Sequence, residues 1–446
     1  RYAVDRQWRV PHFEKMLYDQ AQLAAILLDA SLVTGDRRFA AIARETLDYT
    51  LRDMRRDGGF FSAEDADSEN PYHPGEHGEG AFFLWTEEEI DRILADTDAA
   101  IFKAAYGVQK NGNALSDPAG EFTGRNILYR RIGNVELARI YEKSEQEIED
   151  ILRACRATLL SQRNRRTRPH LDDKVITAWN GLLISALAKA GRILEDERYG
   201  QAAAEAADFL LERLVVDGRL KRRWREDEAR FDATLDDYAF LVQGLLDLYA
   251  LDHKPKRLQQ ALDLTHRQIK DFADPEGGFF DSPRETELIA RMKGLYDGAE
   301  PSGNSVAAMN LLRLSQLTGD NSWRELAEKT ILAAAAILEQ QPAALPLMLA
   351  AHLKNLGPQR LLVIAGDPAS DTTRRMLHVV NSRYRPDTTV LLADGGENHQ
   401  FLAGLLPFIG EIRNKDDQTT AMVCEGMTCR LQTDDPAELA ETLNKE

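Results

Sequence analysis

The sequence predicts a mainly α protein of stacked helical hairpins with a small C-terminal α/β appendage. Three observations carry this expectation. A hairpin-sized motif recurs four times. The helix ahead of each turn is apolar on most faces, whereas the helix behind it is amphipathic. Near residue 358 the pattern changes to short β-branched runs.

The repeat has a fixed length. In "LVTGDRRFAAIARETLDYTLRDMRRDGGFF", Gly58 follows Phe39 by 19 residues, and in "ILEDERYGQAAAEAADFLLERLVVDGRL", Gly218 follows Tyr199 by 19. Gly277 follows Leu258 by 19 and Pro342 follows Trp323 by 19 in the other two copies. Each copy is a turn, an amphipathic helix and a breaker. The preceding segments, such as "AWNGLLISALAKAGRIL" and "YAFLVQGLLDLYAL", are apolar nearly all round, as in helices buried on both sides. Each unit is therefore an inner helix, a tight turn and an outer helix. Such hairpins stack into an open solenoid or a closed toroid.

Helices are expected over 12–33, 38–55, 87–105 with a break, 144–164, 174–193, 198–215, 236–251, 256–273, 302–318, 321–340 and 343–356. These eleven are one short of six hairpins, and the twelfth would precede residue 1. Beyond 358, "RLLVIAG" and "TTVLLAD" read as strands around the helical "DTTRRMLHVVNSRY", with a last helix at "DPAELAETL". The expected domains are thus 1–357, helical with β-hairpin loops at one mouth, and 358–446.

Composition excludes several classes. A net charge of -17 argues against nucleic acid or an anionic membrane as partner. No apolar run reaches the ~18 residues of a membrane helix. Three cysteines are too few for a disulfide framework, so a cytoplasmic setting is expected. Cys424 and Cys429 in "VCEGMTC" are candidates for a reversible redox pair, or two semi-buried thiols on a strand and turn. No second Cys or His pair follows, so no metal is expected. No G-x-G-x-x-G after a strand, P-loop, H-E-x-x-H or G-x-S-x-G occurs, and no cofactor is expected.

If tight turns close one end of every hairpin, the long connections gather at the other. They carry the carboxylates Glu14, Glu64, Asp65, Asp67, Asp172, Asp173, Asp236, Asp237, Asp297 and Glu300. The aromatics Tyr18, Trp85, Trp179 and Tyr238, with Lys174, Asn180, Ser302 and Asn304, belong to the same segments. Carboxylates and amides grip hydroxyls while aromatic rings stack on sugar faces, so a small sugar or glycan is the expected ligand. Paired carboxylates in different environments divide acid and base roles. The catalytic candidates are His12, Glu64, Asp237 and Glu300, and the others named are candidates for substrate binding. Asp172, Asp236 and Ser302 precede inner helices, where an N-cap explains them equally well. Glu300 lies before Pro301 at a buried helix mouth, and the positive helix end is expected to keep it ionised.

Longer motifs carry a resemblance. "RYAVDRQWRVPHFEKMLYDQAQL", "GGFFSAEDADSE", "EGAFFLWTEEEI", "RPHLDDKVITAWNGLLISALAKA", "LDDYAFLVQGLLDLY" and "DGAEPSGNSVAAMNLLRLSQLTGD" resemble the large thioredoxin-domain-containing proteins of the YyaL type. The spermatogenesis-associated thioredoxin-like proteins of animals belong to the same group. The resemblance spans nearly the whole chain. It implies an (α/α)6 toroid of the six-hairpin glycosidase type over 1–357, similar to N-acylglucosamine and cellobiose 2-epimerases. It also implies a thioredoxin-like domain as partner, which this sequence does not include. The implied function is epimerase-, isomerase- or glycosidase-like. The alternative is a non-catalytic glycan- or client-binding protein that works with the redox domain. Related epimerases use paired histidines; besides His12, only His170 adjoins the mouth segments here.

Overall fold

The structure, a computed structural model, describes residues 2–115, 117, 120–285, 288–412, 418–425 and 428–444. Its helices begin with α1 (Leu17–Thr34), α2 (Arg37–Asp53), α3 (Glu87–Ile93), α4 (Asp96–Tyr106), α5 (Asn134–Ile140) and α6 (Glu145–Arg163). There follow α7 (Thr177–Leu194), α8 (Glu197–Arg213), α9 (Leu235–Asp252), α10 (Pro255–Phe272), α11 (Gly303–Thr318) and α12 (Asn321–Ala333). The series ends with α13 (Ala335–Gln340), α14 (Pro346–Leu356), α15 (Asp371–Asn381), α16 (Glu397–Leu405) and α17 (Pro436–Asn444). The chain divides into two compact units. One comprises Arg1–Met16 and Ala63–Asp172, the other Leu17–Ser62 and Asp173–Glu446.

The second unit holds the repeat. α1, α7, α9, α11 and α14 neighbour one another in that order, and α1, α7, α9 and α11 each pack on the helix that follows. This is the hairpin arrangement of an α/α toroid, mainly helical as the sequence predicts. The turn has a repeated chemistry. α7, α9 and α11 end on a left-handed residue, Glu195, His253 or Gly319. Asp36, Asp196 and Asp320 then cap the outer helices by accepting the N–H of Arg38, Arg198 and Ser322. Each such cap contributes about 1 kcal/mol. The inner helices α7, α9 and α11 bury nearly every face, and α7 has no exposed residue from Thr177 to Leu194, whereas α1 exposes Leu23, Ile26 and Val33. α7 and α9 meet through glycines: a Cβ on Gly181 would lie 2.5 Å from the Phe240 carbonyl carbon, and one on Gly244 would lie 2.7 Å from the Gly181 oxygen.

At the far end of the hairpins a second device recurs. The "GGFF" stretch after α2 is gripped by Asn180 of α7, whose Oδ1 accepts Phe60 N–H and whose Nδ2 donates to Phe60 O, both at 2.9 Å. The "GGFF" stretch after α10 is gripped by Asn304 of α11, whose Oδ1 accepts Phe279 N–H at 2.8 Å and whose Nδ2 donates to Phe279 O at 2.9 Å. In the "DGRL" copy after α8, the hydroxyl of Tyr238 accepts Leu220 N–H at 3.2 Å. The next inner helix therefore pins the chain leaving each of these outer helices.

The C-terminal sheet of this unit has the order Thr388–Ala393, Arg360–Ala365, Thr420–Glu425, Thr428–Thr433. Its first pair is parallel and crosses over through α15, and the other pairs are antiparallel. The strand around Cys424 is one that the sequence offered, whereas its partner Thr428–Thr433 and α16 were not expected. Cys424 is disulfide-bonded and pairs with Cys429 in the backbone register; the side chain of Cys429 lies outside the described residues.

The first unit contains α3–α6 around a core that includes Trp85, Ile101, Phe102, Leu137 and Leu152. It also holds a small sheet in which Lys15–Met16 pairs with Ala63–Glu64, and Ala63–Glu64 with Leu171–Asp172. Three helix expectations are corrected, and the expected break in 87–105 is found. The first helix starts at Leu17, because Lys15–Met16 is in that sheet. The 87–105 segment breaks where Leu94 and Ala95 turn extended. The 321–340 helix is interrupted at Ala334. α5 was not expected, being one short turn-rich segment with a single buried residue, Leu137.

Candidate functional site at the starts of the inner helices

In the second unit the N-termini of α1, α7, α9 and α11 bring together Tyr18, Trp179, Asp236 and the loop before α11. Trp179 Nε1 donates to Glu300 Oε1 at 2.8 Å. Tyr18 packs against Trp179 with ring centroids 5.0 Å apart, and Gln22 of α1 donates to Ala299 O at 2.9 Å. Glu300 is half-buried. Burial pushes its carboxyl above the ordinary range; Asp236 and Asp237 add to this while the Trp179 N–H opposes it. The shift runs opposite to the one expected from the helix end, with desolvation as its first cause. Asp236 is also raised, by burial first and then by Asp281, against a hydrogen bond from Gly303 N–H. Asp281 is itself raised by burial while accepting Gly294 N–H. Arg222 is the cation that faces this group, opposing the rise at Glu300, Asp236 and Asp237.

The loop is held rigidly. Ser302 caps α11, accepting Ser305 N–H at 3.1 Å. Asp297 accepts the N–H of Ser302 at 2.9 Å and of Leu347 at 2.8 Å, which ties the loop to α14. Asp237 is fully buried. Its Oδ1 accepts Ala178 N–H at 3.1 Å, and its Oδ2 accepts the Thr234 N–H at 2.8 Å and hydroxyl at 3.1 Å. Burial drives its carboxyl up to about 6, against the Arg222 charge and these hydrogen bonds. Asn180, Tyr238 and Asn304 are buried clamps on backbone, as described above. Asp173 pairs with Arg225 at 2.6 Å, and Lys174 is half-buried beside it in sequence.

The remaining candidates lie in the first unit. His12 Nδ1 is 2.8 Å from Glu79 Oε1, its Nε2 is 3.4 Å from Glu14, and its ring stacks on Tyr2 at 5.0 Å. Glu64 is 1% exposed and lies between Lys15 at 3.7 Å and Arg168 at 3.1 Å. Burial drives Lys15 down to about 8, and Glu64 opposes that fall. Asp65 accepts Asp67 N–H at 3.2 Å in a local turn, Trp85 is buried under Arg166, and Asp172 is half-buried in its strand. The candidates from the sequence thus divide between the two units. Among the described residues no group of three His, Cys, Asp or Glu could hold a metal ion.

Sequence reasoning missed Arg222 and Asp281. Asp281 had a signal: it follows "GGFF" at 277–280 as Ser62 follows it at 58–61. The backbone oxygens of the two accept the first N–H of α9 and of α1, at 3.1 Å and 3.0 Å. Arg222 had none, because it stands in the basic strand "RLKRRWR" among equivalent neighbours.

Hairpins whose inner-helix starts carry acids and aromatics place the chain in the class of α/α-hairpin proteins with a polar mouth. Over its whole length it is homologous to spermatogenesis-associated protein 20. Identity is 37% over 474 residues to the mouse protein and 37% over 473 residues to the human protein. An uncharacterised Caenorhabditis elegans protein is 31% identical over 471 residues. The chain spans 59% of the mouse protein and 63% of the nematode one. No family model matches the chain. Among solved structures, cellobiose 2-epimerase from Spirochaeta thermophila has 12% identity and a TM-score of 0.43, covering 75% of this chain and 62% of that one. A D-mannose isomerase has 11% identity and a TM-score of 0.38, covering 72% of this chain and 76% of that one. Among the described residues no helix is long and apolar enough to cross a membrane.

Proposed function

We propose that the second unit performs acid–base chemistry on a carbohydrate, with Glu300 as the proton-transferring group. The observation that carries this reading is the Glu300 carboxyl itself. It is half-buried, oriented by the Trp179 indole N–H at 2.8 Å, and raised in pKa by burial and neighbouring acids. A carboxyl whose pKa is raised by burial holds and delivers a proton more readily than an exposed one. Trp179, backed by the buried Tyr18, supplies an aromatic surface for the apolar face of a sugar ring. Asp236 is the second carboxyl of the pair, and Arg222 stabilises negative charge beside them. Asp237 and Asn180 position α7 and α9 rather than meet the ligand.

The test is proton NMR in D2O with a panel of aldoses, ketoses and N-acetylhexosamines. Solvent deuterium should enter one sugar at C2 with the wild type. Glu300→Gln should lose that exchange while its melting temperature stays within a few degrees. Exchange at the wild-type rate in Glu300→Gln removes Glu300 from the chemistry. Line broadening of a sugar without exchange in either protein replaces catalysis with glycan binding.

A further inference from the structure

The same inner helices line a cavity of about 640 Å³ toward their C-terminal halves. Along α7, Trp179 and Arg192 are separated by about 20 Å at 1.5 Å per residue, so this cavity is distinct from the Glu300 group. Its other wall is the loop between α15 and the strand Thr388–Ala393. Six cationic side chains line it against three carboxylates, in a chain of net charge -17. The carboxylates are already engaged. Asp29 pairs with Lys189 at 2.8 Å, Asp247 with Arg313 at 2.7 Å, and Asp387 lies 3.5 Å from Arg360.

That leaves a surplus of positive charge. Lys354 donates to the Pro386 carbonyl at 2.8 Å. Arg385 donates to the Val379 and Val380 carbonyls. Among the described residues Arg192 and Arg383 make no hydrogen bond, although Asp247 and Asp29 act electrostatically on Arg192. Burial, with Arg313 adding to it, drives Lys354 down to about 8, and burial lowers Arg192 too. Arg192 and Lys354 stand in the last turns of α7 and α14, where a helix end favours a cation. That effect does not reach Arg383, on a separate loop.

We propose that this cavity binds the phosphate group of a small phosphorylated molecule between Arg192, Lys354 and Arg383. The three cations come from three separate elements of the lining, two helix ends and a loop. That suits a tetrahedral dianion better than a planar carboxylate, which one guanidinium fork satisfies. The apolar lining, including Leu246, Leu317 and Leu353, is suited to the uncharged remainder of the molecule. This inference does not depend on the role of Glu300.

Calorimetric titration at fixed ionic strength tests it, with a hexose 6-phosphate, inorganic phosphate, the unphosphorylated hexose and citrate as probes. The hexose 6-phosphate should bind, inorganic phosphate more weakly and the free hexose not at this site. Arg192→Gln should weaken binding by about tenfold or more, the usual effect of losing a charge-assisted hydrogen bond. Arg383→Ala changes an exposed side chain, so it should weaken binding without altering the fold even if Arg192→Gln does not fold. Absence of binding by both phosphates overturns the proposal. So does citrate binding as tightly as the hexose 6-phosphate, or unchanged affinity in Arg383→Ala together with a folded Arg192→Gln.

Discussion

Trp179, two residues into α7, donates its indole N–H to Glu300, three residues before α11, at 2.8 Å across 121 positions of sequence. The bond favours the ionised carboxylate, whereas burial, Asp236 and Asp237 favour the protonated one. Trp179→Phe should therefore raise the Glu300 titration midpoint further. Carbon-13 NMR of the labelled Glu300 carboxyl reads that midpoint directly. A fall or no change in Trp179→Phe would mean that the indole does not govern the acid.

Asp237 gives a stability prediction with a definite sign. Its folded-state carboxyl is driven up to about 6 by burial, while an unfolded aspartate ionises near ~3.9. Between those values the folded chain keeps a proton that the unfolded chain has released, so stability from this group is full below about pH 4 and declines as pH rises toward 6. Asp237→Asn lacks that decline. Urea unfolding at several pH values should show the wild type's advantage over Asp237→Asn shrinking as pH increases; a constant gap would contradict the buried-acid account.

The backbone clamps should dominate stability. Asn304→Ala strands the Phe279 N–H and C=O and one bond to Gly294. Unsatisfied buried groups cost ~1–3 kcal/mol each, so a loss of roughly 2–4 kcal/mol is expected. Asn180→Ala, with bonds to Phe60 and Ile176, should lose a similar amount. Denaturant unfolding of the two variants checks this, and a loss under about 1 kcal/mol in both would show that water replaces the clamp.

The α7–α9 contact leaves no room for one methyl group. A Cβ at Gly181 would sit 2.6 Å from the backbone of Leu241 as well as 2.5 Å from that of Phe240. Neither is a flexible side-chain end, so Gly181→Ala must part the two helices, at a cost of ~1–3 kcal/mol or more. The parting also shifts Trp179, two residues away, so its fluorescence should change along with the melting temperature. An unchanged spectrum and unchanged stability would refute the close approach.

The 19-residue repeat is a local pattern, and local patterns survive in sequence. Apolar periodicity and the breakers after each outer helix marked the inner and outer helices to within about five residues, because each reflects a short-range rule of burial or backbone conformation. The candidate site was legible only as a set of residue types. Asn180, Tyr238 and Asn304 looked like ligand contacts from their place at helix starts, yet each is turned to a backbone stretch left by the preceding outer helix. Asp237 and Asp236 are adjacent in sequence, and the sequence marked Asp237 as catalytic and Asp236 as a substrate contact or cap. One rotation of about 100° around α9 separates an acid enclosed among backbone N–H donors from one facing Glu300. Which side chain faces which partner depends on helices brought together from distant positions. Only the packed tertiary structure sets that, through the desolvation and charge proximity that no linear spacing encodes.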